Sequence, residues 1–112
     1  MPRYASLFSY TPESWARMMA NPGDRAAAVR KVTEALGGKL EAFYWMFGEY
    51  DGLAIFDMPD SSTQAAVAIG VASTGVLKSL VTHELIGMED TTAILEKARA
   101  AVGAYAPPGT PT

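Results

Sequence analysis

Between Gly37 and Met58 the chain reads GGKLEAFYWMFGEYDGLAIFDM, and this segment constrains the fold more than any other. A glycine pair closes a helix, an aromatic strand follows, Gly48-Glu49-Tyr50-Asp51-Gly52 turns the chain, and an apolar strand returns. The pattern specifies a helix exit feeding a β-hairpin. It specifies a reaction hardly at all, because no grouping of nucleophile, base and metal ligands surrounds it.

The remaining elements fall on either side of this hairpin. Arg3 to Tyr10 alternates, with Tyr4, Ser6, Phe8 and Tyr10 on one face, and reads as a first strand. Thr11-Pro12-Glu13 then combines an N-cap, a proline at the first helical position and an acid in the first turn. Asn21-Pro22-Gly23-Asp24 repeats the start signal, so the helix breaks there and resumes toward Leu36 with Ala26, Val29, Val32 and Leu36 as its expected buried stripe. After the hairpin, Asp60 caps an alanine-rich helix that ends at Gly75, and Leu77 to Ile86 forms a fourth strand. A last helix opens at Glu89-Asp90-Thr91, with Ile94, Leu95, Ala98 and Val102 expected to pack. We therefore expect one domain over residues 1–103 and a loose, proline-containing tail over 104–112.

Strand, helix, strand, strand, helix, strand amounts to two crossover units joined by a hairpin. Right-handed crossovers then give an α+β, ferredoxin-like βαββαβ plan: a four-stranded antiparallel sheet, helices on one face, and an additional C-terminal helix. The other face should alternate apolar with polar residues if it met water. Instead, strand two sets Leu40, Ala42, Tyr44 and Met46 against Phe43, Trp45 and Phe47, and strand three sets Leu53 and Ile55 against Ala54, Phe56 and Met58. Leaving roughly 300 Å² of such surface wet would forfeit about 7 kcal/mol, comparable with the whole stability of a small domain. A homodimer or higher oligomer that covers the bare sheet face is the expected partner state.

At Phe43-Tyr44-Trp45, at Gly48-Glu49-Tyr50-Asp51 and along the following strand, the chain resembles the GYD domain family, named for a Gly, Tyr and Asp signature at this hairpin. The resemblance extends from Tyr4 to about Leu95. It implies membership of the dimeric α/β-barrel superfamily, whose ferredoxin-like subunits pair through their sheets. Chemistry varies widely among the superfamily's cofactor-free monooxygenases, isomerases and haem enzymes, so the fold does not select an activity. The residues carried over are Tyr44, Trp45, Gly48, Tyr50 and Asp51, without assigned roles. In strand four, where relatives carry threonine and arginine, this chain has Ser79, Thr82 and His83.

Candidate chemistry gathers at few residues. Asp51, flanked by Glu49 and an aromatic wall, has the chemistry of a general base, although an aspartate in a turn more commonly holds backbone N–H groups. His83 is the only histidine and the second candidate for proton transfer; without spaced companion ligands it gives no metal motif. Tyr44, Trp45, Tyr50 and Glu49 are the candidate ligand contacts, with Tyr44 and Trp45 on opposite faces of their strand. Met18, Met19, Met46 and Met58 are candidates for an adaptable apolar lining. Gly48 and Gly52 bracket a turn that no helix follows, which disfavours a phosphate-binding loop.

A net charge of −3, from twelve acids and nine bases, offers no basic footprint for nucleic acid. With no cysteine there is no disulfide, thiolate metal site or thiol catalysis. No signal peptide or membrane-spanning run is read from the sequence, so the expected location is the cytoplasm. The leading expectation is an oligomer that binds an apolar or aromatic small molecule in a cleft between sheet and helices near Tyr44, Tyr50, Asp51 and His83, with no tightly held cofactor or metal. The alternatives are a cofactor-independent monooxygenase or isomerase using Asp51 or His83, and an interaction module without ligand.

Overall fold

Side-chain caps decide where the helices begin. A computed structural model describes residues 1–111, and in it Thr11 Oγ1 accepts the Ser14 N–H at 3.2 Å to start α1 (Pro12–Ala20). Asp24 Oδ1 accepts from Ala27 at 3.0 Å to start α2 (Arg25–Ala35), and Asp60 Oδ1 accepts from Thr63 at 2.8 Å to start α3 (Ser61–Ser73). The Thr63 bonds hold the Asp60 carboxyl below its usual pKa. At the exit of α2, Gly37 adopts φ +84° and the Gly38 N–H reaches the Thr33 carbonyl at 3.0 Å, the turn that the glycine pair predicts.

The four strands are β1 (Arg3–Tyr10), β2 (Lys39–Trp45), β3 (Gly52–Asp57) and β4 (Leu77–Leu85), in the order β2-β3-β1-β4 with every neighbouring pair antiparallel. This is the ferredoxin-like α+β sheet expected from the element order. Helices α2 and α3 lie over one face, α2 against β2 and α3 against β4. Beneath them Tyr4, Phe8, Tyr10, Leu40, Ala54, Phe56, Met58 and Val67 form the core. Each aliphatic or aromatic side chain so buried contributes about 1.5–3 kcal/mol.

Three details differ from the sequence expectation. Leu40 pairs with Phe56 but Ala42 pairs with Ile55, so Glu41 is an extra residue that forms a β-bulge. The bulge reverses the alternation: Leu40, Phe43 and Trp45 face the helices, while Ala42 and Tyr44 face the open side. In α2, Thr33 is the fully buried residue, its hydroxyl donating to the Val29 carbonyl at 2.7 Å, whereas Val32 and Leu36 are exposed. Thr33, the neighbour of Val32 and four residues after Val29, holds the buried position instead, its hydroxyl satisfied within the helix.

The largest departure concerns α4 (Thr91–Ala104), which follows a turn of 3-10 helix at Met88–Asp90. None of its residues is buried, and Ile94, Leu95 and Val102, expected to pack, are 42%, 62% and 78% exposed. The helix projects from the sheet, giving extents of 63 × 31 × 24 Å and a radius of gyration of 18.6 Å, against about 13 Å for a compact chain of this length. It runs one residue past the expected domain limit, to Ala104. Thr112, at the end of the expected tail, lies outside the described residues.

The hairpin strand β3 opens on Gly52, which faces Phe8 across the β1–β3 ladder. A Cβ at this position would overlap the Phe8 ring. Gly52→Ala is expected to lower stability by about 1–3 kcal/mol through overpacking, read from the urea midpoint, and the companion change Phe8→Leu should recover part of the loss.

Candidate functional site

The signature hairpin is tied to the end of β1 through its aspartate. The backbone of Asp51 donates to the Phe8 carbonyl at 2.8 Å, and its own carbonyl accepts from Met46 at 2.8 Å. Its Oδ2 accepts the Tyr10 N–H at 2.9 Å and the Trp15 indole N–H at 3.3 Å. One carboxylate thus joins the turn, the last residue of β1 and helix α1.

Around it stands an aromatic cluster. Trp15 lies 5.2 Å from Tyr10 and 5.3 Å from Trp45, and Phe8 lies 5.5 Å from both Tyr10 and Phe43, ring centre to ring centre. Edge and tilted contacts of this kind stabilise by about 0.5–1.5 kcal/mol each beyond area burial. Trp45 belongs to this cluster because the Glu41 bulge places it on the helix side, at the cluster's edge, where it is 52% exposed. Glu49 is exposed and Tyr50 half-buried beside the turn, with the Glu49 carbonyl accepting from the Ser9 hydroxyl at 3.3 Å.

The expected gathering of Tyr44, Tyr50, Asp51 and His83 in one cleft does not form. His83 pairs with Ala5 on β1 and, like Tyr44, faces the open side of the sheet, where it is exposed. Asp51 bonds to residues on the helix side. The methionines do not converge either: Met58 is wholly buried in the core, and Met18 and Met19 lie on α1.

The cavity lies elsewhere, and none of Tyr44, Tyr50, Asp51 and His83 lines it. Helices α2 and α3 rest on opposite halves of the sheet, and between them, above β1, is a largely apolar cavity of about 70 Å³. Phe8, Ala54, Phe56 and Leu80 make its floor, Val29 and Val32 one wall, Val67, Ala68 and Val71 the other. Ser6, Tyr10, Arg25 and Gln64 supply its polar groups. Gln64 is 4% exposed, and its Oε1 and the Nε of Arg25 are buried with no hydrogen-bond partner. Orphaned polar atoms in an apolar enclosure are costly, by about 1–3 kcal/mol each, unless something pairs with them.

The helical phase explains why these two residues reach inward. Gln64, Val67, Ala68 and Val71 share one stripe of α3, and Arg25, Val29 and Val32 share one stripe of α2. Nearby, burial raises the pKa of the Tyr10 hydroxyl, while the Arg25 guanidinium draws it the other way. Tyr10 therefore stays protonated at neutral pH and can donate. Ser6 Oγ is engaged with Thr82 Oγ1 at 2.8 Å. Among the described residues no group of three or more His, Asp or Glu side chains is placed to hold a metal ion, and no helix is long and apolar enough to cross a membrane.

A family model described as GYD domain matches residues 4–95. A search among curated proteins returned no match. Among solved structures, the crystal structure of FFRP-DM1 superposes with a TM-score of 0.49 at 13% identity, covering 77% of this chain and 100% of that one. The crystal structure of 30S ribosomal protein S6 from Thermotoga maritima also gives 0.49, at 17% identity, covering 90% of this chain and 97% of that one.

The two acid–base candidates separate by their surroundings. Asp51→Ala strands the Tyr10 and Trp15 N–H groups and is expected to cost about 2 kcal/mol in a denaturant titration, with a changed Trp15 emission. His83→Ala, at an exposed position, should stay within about 0.5 kcal/mol of the parent.

Proposed function

The chain belongs to the GYD domain family, and from the cavity it carries we propose that it binds a small apolar or aromatic molecule between the sheet and helices α2 and α3, as a self-associating protein. One observation carries this reading: an apolar cavity is lined by Gln64 and Arg25, whose Oε1 and Nε atoms are both buried and both unpaired. A group kept only for packing would be replaced at little cost by leucine or methionine, whereas a ligand that pairs with these atoms offsets their desolvation. Binding is favoured over turnover because Asp51 is engaged by two N–H groups and His83 faces the other side of the sheet, so neither lines the cavity.

Self-association is supported by what lies on that other side. Leu7, Leu53, Ile55 and Val81 sit together on the open face, half-exposed, with Tyr44 and Leu85 more exposed at its margins. An ionic corner bounds them, where the Arg3 Nε donates to Asp57 Oδ1 at 2.7 Å and Lys39 lies 3.5 Å from Glu41. The Arg3 guanidinium holds the Asp57 carboxyl below its usual pKa. An apolar centre with a charged margin is the anatomy of an interface, and a second copy supplies a surface of the same kind. The uncovered apolar residues of α4 add to the surface such an assembly can bury.

A thermal-shift screen of apolar and aromatic metabolites tests the ligand. Gln64→Leu should stabilise the unliganded protein by about 1–3 kcal/mol and weaken any hit that carries a polar head; a destabilised Gln64→Leu with unchanged binding would overturn the site. For the assembly, light scattering should give a mass above 11.9 kDa for the parent chain and the monomer mass for Ile55→Glu. A monomeric parent chain at micromolar concentration would refute self-association.

A further inference from the structure

The polar end of the cavity is electrically one-sided. Arg25 brings a positive charge to it, and its Nε has no partner. Among the described residues, charge pairs within 4.0 Å join Arg3 to Asp57 and Glu41 and Lys39 to Glu41, and none involves Arg25. The acids closest to it in sequence and at the cavity's aromatic end are committed elsewhere: Asp24 to the Ala27 N–H, Asp51 to Tyr10 and Trp15. Arg25 is half-buried, and its Nε–H is a charged donor shielded from water without a hydrogen bond, more costly to leave unpaired than a neutral orphan, so the missing partner is best supplied as an anion.

The other polar groups fit the same conclusion. Tyr10, kept protonated by burial, presents an O–H rather than a phenolate. Gln64 can turn its amide so that either the carbonyl or the NH₂ meets the ligand, and the two ends occupy almost the same volume. Two fixed donors and one adaptable amide around an apolar enclosure suit a carboxylate head on a hydrocarbon body. The cavity of about 70 Å³ limits the enclosed part to a small ring or short chain, with further room along the gap between α2 and α3.

We propose that this cavity selects small organic monocarboxylates, with the carboxylate on the Arg25 Nε–H and the Tyr10 hydroxyl, Gln64 against its second oxygen, and the apolar body between Val29, Phe56 and Val67. The proposal rests on the reading of the cavity as a ligand site and adds the charge of the ligand. It assigns specificity to Arg25 and affinity for the apolar part to the walls.

The test is calorimetric titration of the full chain at neutral pH with benzoate and hexanoate, each set against its neutral counterpart, benzyl alcohol and hexanol. The parent protein should bind the carboxylates at least about tenfold more tightly than the alcohols. Lys31→Met, which removes an equal charge from the exposed side of α2, should keep that preference. Arg25→Met should abolish it while retaining the alcohols, and Arg25→Lys should restore part of it; a merely structural role for Arg25 would weaken all four ligands together. If alcohols bind the parent as tightly as carboxylates, or the preference survives Arg25→Met, the charge assignment is overturned and the ligand site stands. If none of the four binds the parent, both fall. Should Arg25→Met fail to fold, the parent comparison and Arg25→Lys decide the matter alone.

Discussion

Every other feature of this protein depends on β1 being an inner strand of the sheet. It pairs with β3 on one side and β4 on the other, so its backbone groups are satisfied by two partners and its two faces are committed to two environments. Tyr4, Phe8 and Tyr10 point toward the helices and found the core; Ala5 and Leu7 point to the open side. The last residue of this strand, Tyr10, is also where Asp51 anchors the hairpin and where the cavity has its hydroxyl. Fold, signature motif and candidate ligand site thus share one strand.

The division of labour between the two faces follows from this. On the helix side, two helices cover an apolar sheet incompletely, because α2 sits toward β2 and α3 toward β4, and the gap between them becomes a cavity over β1. On the opposite side no helix among the described residues covers Leu7, Leu53, Ile55 and Val81, which are left half-exposed. The first situation favours a small molecule and the second a large, flat partner, since enclosed concavities and open planes demand occupants of different shape. The GYD hairpin serves both without belonging to either: its aspartate braces the interior cluster while Tyr44, one residue before Trp45, lies outside.

What the sequence made legible was local. Thr11, Asp24 and Asp60 cap the helices that they announce, and Gly37 and Gly38 end α2, because these signals act over three or four residues and need no tertiary context. The hairpin and the sheet order followed from element sequence and handedness. The orientation of β2 did not, since a bulge is a property of register between two strands and Glu41 carries no local mark of it. The exposed face of α4 was equally hidden: an amphipathic stripe says that a helix needs a partner, not that the partner is in the same chain. Arg25 and Gln64 carry no such local signal, because charged and amide side chains on helices ordinarily face solvent. Their positions were nonetheless available, as each completes an i, i+4, i+7 or i, i+3, i+4, i+7 series whose other members are valine and alanine.

The bulge at Glu41 turns a question of chemistry into one of counting. Because this single surplus residue is left out of the ladder, Phe43, partly buried, and Trp45, 52% exposed, lie on the helix side through the pairing of Ala42 with Ile55 and not through what occupies the forty-first position. That residue's identity is free to change, and removing it would leave Ala42 opposite Ile55 and Trp45 opposite Gly52 in an unbroken ladder, so the same side chains would stay on the helix side and only the local bend and added twist would be lost. A related chain with a gap at this one position would therefore have a straighter strand beneath the same aromatic pair, whereas a gap between Ala42 and Trp45 would send the indole to the open face.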